Sequence, residues 1–139
     1  MNPYLVVQTI GRILLLLFYG AAGIIHLINP APFLAITPEW VPFPHQVVLF
    51  TGVAELAGAV ALIQPISLRL RRAAAMGLAL YALCVFPANI HHMLTDMALA
   101  EPKLGWGYHI PRMFFQPFVI WLGLWAGGVT DWPFRRSPR

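Results

Sequence analysis

Residues Gln46 to Gln64 read QVVLFTGVAELAGAVALIQ, an unbroken apolar stretch whose one ionisable side chain is Glu55. About 20 helical residues span the roughly 30 Å hydrocarbon core of a bilayer, and this stretch meets that length. It is rich in Ala, Gly and Leu and lacks the apolar/polar alternation of a barrel strand, so it predicts a transmembrane helix. Three more windows of similar character flank it. Together they predict helices over about 4–28, 46–64, 72–94 and 112–129.

The composition agrees with that reading. The chain has 139 residues, of which 59% are hydrophobic and 10% charged, against about 25% charged in soluble domains. A mean hydropathy of +0.70 arises from long apolar runs, the pattern expected when lipid is the solvent for whole segments. The expected architecture is all-α, a single integral-membrane four-helix bundle over residues 1–139. The first apolar run lacks a well-placed A-x-A cleavage site and is followed by three others, so it reads as a retained helix rather than a signal peptide.

Orientation follows from the basic residues. Arg69, Arg71 and Arg72 lie between the second and third windows, Arg135, Arg136 and Arg139 lie in the tail, and the long segment after the first window has no Lys or Arg. The positive-inside rule then places both termini in the cytoplasm, consistent with Arg12 near the start of the first helix. Lys103 and Arg112 are the Lys and Arg residues left on the outer side. The net charge of +4 is spent on orienting helices, and no basic patch interleaved with aromatics points to nucleic acid.

The outer loop Asn29–His45 carries prolines 30, 32, 38, 42 and 44 with Phe33, Trp40 and Phe43, a stiff segment suited to the membrane interface. The lone cysteine, Cys84, lies inside an apolar run and reads as a small packing residue.

Ionisable groups inside a span cost about 2.5–3.5 kcal/mol at the helix centre on insertion scales, so each is a candidate for function. Here they gather toward the outer side: His26, Asn89, His91 and His92, then His109, Arg112 and Gln116. Glu55 lies deeper, about 13 Å below the outer boundary at 1.5 Å per residue. It requires a partner or a neutral form, and His26 and Arg112 are the candidate partners. Arg112 and Gln116, four residues apart, share a helix face able to meet an anionic or carbonyl ligand. Asn89 and His92 share a face of the third helix, and His91 lies on another. No H-x-x-x-H, H-E-x-x-H or C-x-x-C spacing occurs, so no metal site is assigned.

Several of these residues sit in recognisable segments: Gly23-Ile-Ile-His26, Pro30-Ala-Pro-Phe33, Thr51-Gly-Val-Ala-Glu55-Leu-Ala-Gly58, Val85-Phe-Pro87-Ala-Asn89-Ile-His91, and Arg112-Met-Phe-Phe-Gln116 running on to Trp121. In this order they resemble the DoxX family of small four-helix membrane proteins. His92 departs from the family pattern, which runs from the histidine matched by His91 directly to Met. The resemblance implies a bacterial plasma membrane location and, for some relatives, quinone-dependent sulfur oxidation or oxidative-stress complexes. The functional expectation is a redox accessory or quinone-interacting subunit that works with a membrane or periplasmic redox partner. His26, Glu55, Asn89, His91, Arg112 and Gln116 would line an outward-opening pocket, with Arg112 and Gln116 donating to a quinone carbonyl and Glu55 with a histidine handling protons. The competing expectation is a non-catalytic scaffold or small-solute carrier in which these polar residues tie the bundle together.

Overall fold

The computed structural model describes residues 3–134, so the tail arginines of the orientation argument lie outside the described residues. All regular structure among the described residues is helical: α1 Pro3–Ile28, α2 Ala31–Ile36, α3 Pro44–Ile63, α4 Leu68–Met97 and α5 Trp106–Ala126. The four long helices touch in the cyclic order α1, α3, α4, α5 and back to α1, while α2 rests on α3 and α4. Leu15, Tyr19, Ala59, Leu62, Ala75, Leu78, Val119, Trp125 and Ala126 form the buried core. Large apolar side chains also face outward along the helices, including Phe50 and Phe114, each 73% exposed. A surface of that kind suits lipid.

Three helices, α1, α3 and α4, are long and apolar enough to cross a membrane. The sequence reading expected four. α5 has the length at 21 residues, but its first twelve residues include His109, Pro111, Arg112, Gln116 and Pro117, which lower its hydropathy.

Two helix starts differ from expectation by four residues or more, each for an identifiable reason. α4 begins at Leu68 rather than near 72 because Ser67 acts as its N-cap, its hydroxyl accepting from Leu70 N at 3.2 Å. The Gln64 side chain brackets the turn, donating to Ser67 O and accepting from Ser67 N, both at 2.8 Å. Arg69, Arg71 and Arg72 therefore occupy the first turns of α4 and not a free loop. α5 begins at Trp106, six residues ahead of the expected start. Here the Asp96 carboxylate accepts from the backbone N–H groups of Lys103, Leu104 and Gly105 at 3.0–3.1 Å. These three donors lie in the turn that leads into the helix, and the carboxylate fixes that turn in place. Gly105 has φ +67° and ψ −178°, a region essentially restricted to glycine, which lets the chain turn into the helix there.

α5 ends earlier than 129. Gly128, at φ +77°, closes it in a left-handed cap, with Val129 N donating to Leu124 O and Gly128 N to Trp125 O.

A close backbone approach joins α1 and α3. A Cβ placed on Gly23 would lie 2.7 Å from Gly52 O, and one on Gly52 would lie 2.7 Å from His26 Cβ. Small residues let helix backbones approach in this way. The contact sets His26 beside Gly52 and Gly23 beside Leu56, and because helical side chains lean toward their own N-terminus, those of His26 and Glu55 lean toward each other across the antiparallel pair and meet.

Candidate functional site

A cavity of about 410 Å³ opens among the C-terminal half of α1, the N-terminal half of α3, the C-terminal half of α4 and the N-terminal half of α5. α2 and the segment after it cover one side through Phe33, Ile36, Pro38 and Trp40. The lining is mainly apolar and aromatic, with polar side chains on two opposing walls. Such a composition and volume fit a small-molecule site, for which about 300–1,000 Å³ is usual.

The α1/α3 wall holds Glu55 and His26. Glu55 is 3% exposed, and its Oε2 lies 2.9 Å from His26 Nδ1. The same Nδ1 lies 2.8 Å from Ala22 O, the carbonyl one turn back in α1. One Nδ1–H thus faces two acceptors, and Glu55 Oε2 is a buried oxygen with no well-aligned hydrogen bond. Tyr81 lies against Glu55 and Thr51, and Tyr19 is within electrostatic reach of the carboxyl. Phe33 of α2 stacks on the His26 ring with centroids 3.6 Å apart. Of the two partners expected for Glu55, His26 is the one in contact.

The α4/α5 wall is organised by Arg112. Its Nη1 donates to His92 Nδ1 at 3.0 Å and to the Tyr108 hydroxyl at 3.1 Å, and its Nη2 donates to Asn89 Oδ1 at 2.6 Å. Asn89 Nδ2 donates onward to Gln116 Oε1 at 3.0 Å, and Gln116 Nε2 donates to the Ala82 carbonyl. Pro87 cannot donate to the carbonyl of Leu83, so this stretch of α4 has a loosened hydrogen-bond ladder where a side chain can enter. The guanidinium is therefore held by three uncharged acceptors. Among the described residues no carboxylate lies within 4 Å of it, the ion pairs being His26–Glu55 and His109–Asp96. Two of its five N–H donors, on Nε and Nη2, are not used by these bonds.

Of the six residues expected to line a pocket, His26, Glu55, Asn89, Arg112 and Gln116 line this cavity. His91 does not, and the neighbouring His92 reaches Arg112 instead. Helical phase explains the difference, since Asn89 and His92 are three apart and present one face to α5. Cys84, expected to pack, is exposed and lines the cavity.

Sequence reasoning passed over Asp96. Besides holding the turn ahead of α5, it sits 3.0 Å from Nε2 of His109, which is 0% exposed. His109 in turn packs edge-on against His92, with centroids 5.2 Å apart. The pair fixes where α5 starts, and so the position of Arg112 one turn further on. The available signal was an acidic residue near the end of a span, thirteen residues before a histidine; only the fold of the intervening loop unites them.

No curated protein and no solved structure matches the chain. Residues 15–129 match the family model of a domain of unknown function, DUF8561, and the chain belongs to that family.

Proposed function

We propose that this chain is a quinone-binding accessory subunit of a membrane redox system, crossing a bacterial plasma membrane four times with both termini in the cytoplasm. α5 supports a fourth crossing, because 21 residues give about 32 Å and Ile110, Phe114 and Phe118 face outward from it. The likeness of the His26, Glu55, Asn89 and Arg112 segments to DoxX proteins supports the bacterial location and a redox partner.

The observation that carries the ligand class is Arg112, a cation at an aromatic cavity with donors to spare and no carboxylate beside it. A carbonyl or anionic oxygen is the partner such a group lacks, and a flat ring suits walls built from Phe18, Tyr19, Tyr81 and Phe115. Arg112 binds and orients the carbonyl. Asn89 and Gln116 hold the guanidinium in place, Gln116 being engaged with Ala82 O rather than aimed at the ligand. Glu55 and His26, on the other wall, are placed to hold or release a proton. A bound quinone would supply the electron-accepting chemistry.

The test is thermal stability of the detergent-purified chain with a short-chain soluble quinone, in the wild type and in Arg112→Ala and Glu55→Gln. A ligand that binds only the folded state raises its apparent stability, by about 2.7 kcal/mol at a hundredfold excess over Kd. The expected result is a rise in Tm that Arg112→Ala abolishes and Glu55→Gln reduces. No shift at saturating quinone would reject the assignment and favour a scaffold whose polar residues tie the helices together.

A further inference from the structure

The end of the molecule remote from the cavity holds a second set of unbalanced charges. Arg12 of α1 donates through Nη1 to Ala126 O at 3.1 Å and through Nη2 to Thr9 Oγ1 at 2.7 Å. Arg71 donates to Gln64 O at 3.0 Å, and Arg72 to Gly128 O at 3.0 Å. Three guanidinium groups from two helices thus converge on the C-terminal ends of α3 and α5. Arg12 and Arg71 are close enough to repel one another. The Nε atoms of both are buried without a hydrogen-bond partner. Among the described residues, no carboxylate forms an ion pair with any of the three.

Helix capping accounts for only part of this charge. Each helix C-terminus carries roughly half an elementary negative charge, so two of them offset about one of the three cations. Arg71 and Arg72 also lie in the first turns of α4, where the helix dipole disfavours positive charge. Among the described residues, the helix ends thus offset about one of the three charges and no ion pair offsets the other two, in a place where Arg12 and Arg71 are partly buried. Next to them Ile66 is 92% exposed, with Leu68 and Leu70 also exposed, so the cluster is interleaved with apolar side chains directed at its surroundings. A site offering guanidinium donors and adjacent apolar surface matches a phosphate group attached to acyl chains.

We propose that Arg12, Arg71 and Arg72 form a site for a phosphate anion, supplied by the headgroup of an anionic phospholipid, at the end of the chain opposite the cavity. The site stands apart from the quinone reading and uses none of its residues.

The test compares unfolding temperatures of the full chain in nanodiscs of phosphatidylcholine alone and of phosphatidylcholine with phosphatidylglycerol, and separately in detergent with inorganic phosphate against chloride at equal ionic strength. Phosphatidylglycerol is expected to raise Tm, by an amount on the order of 5 °C near saturation. Arg71→Gln and Arg12→Gln, which keep a donor for the capped carbonyls, are expected to remove most of that difference, and Lys103→Gln at the far end to leave it. Each variant is compared with itself in the two lipids, so a general loss of stability does not mask the readout; if Arg71→Gln fails to fold, the exposed Arg72→Gln takes its place. A shift given equally by inorganic phosphate and lost in the same variants would support the anion site and replace the lipid by free phosphate as its source. No difference between the lipids in the wild type, or a difference that survives the arginine variants, would overturn the proposal.

Discussion

Replacing Gly52 by alanine tests the link between helix packing and the site. The new Cβ would lie 2.7 Å from His26 Cβ and 3.0 Å from Gly23 O, so it cannot be accommodated without moving α1 from α3. Reaching the lower edge of ordinary contact needs an opening of about 0.7 Å, and His26 rides on the displaced helix. The 2.9 Å separation between His26 Nδ1 and Glu55 Oε2 then grows to about 3.6 Å, beyond hydrogen-bond reach. Overpacking of this kind costs about 1–3 kcal/mol, or roughly 3–10 °C in Tm for a chain of this size. The assay is thermal unfolding in detergent of Gly52→Ala, Glu55→Gln and the double variant. Since Gly52→Ala alone separates the pair, Glu55→Gln should cost less in that background than in the wild type. Gly20→Ala is the control: its Cβ would meet nothing within 4 Å, and it should be neutral or slightly stabilising. Equal costs for Gly52→Ala and Gly20→Ala, or strict additivity with Glu55→Gln, would refute the argument that the glycine contact sets the pair.

Two further outcomes are expected. Cys84 lines the cavity and is exposed, so a maleimide should label it, and a soluble quinone should slow that labelling several-fold in the wild type but not in Arg112→Ala, measured by intact-mass analysis. Asp96→Ala removes the acceptor for three backbone N–H groups, so hydrogen exchange at residues 103–109 should accelerate markedly while α1 keeps its protection; unchanged exchange there would show that the loop does not depend on this carboxylate.

Three of the four expected spans were legible because they depend on local composition alone: a continuous apolar run such as Gln46–Gln64 has the length and hydropathy to cross a membrane whatever lies beside it. The candidate polar residues were legible for the same reason, since Glu55 or Arg112 within such a run is costly wherever it points. The boundaries were less so. Ser67 caps α4, and Asp96 holds the turn ahead of α5, the first a local signal, the second reaching seven to nine residues along the chain. Which partner each polar group meets was beyond the sequence. Glu55 pairs with His26 because Gly23 and Gly52 allow two backbones to touch, and Arg112 meets His92 rather than His91 because helical phase around Pro87 turns one histidine toward α5. The sequence by itself determined the solvent, the helices and the inventory of polar groups, since these depend on residue type and neighbours along the chain. Only the tertiary structure decided the pairings, the cavity and the arginine cluster, since these depend on distances between residues far apart in sequence that helix contact alone defines.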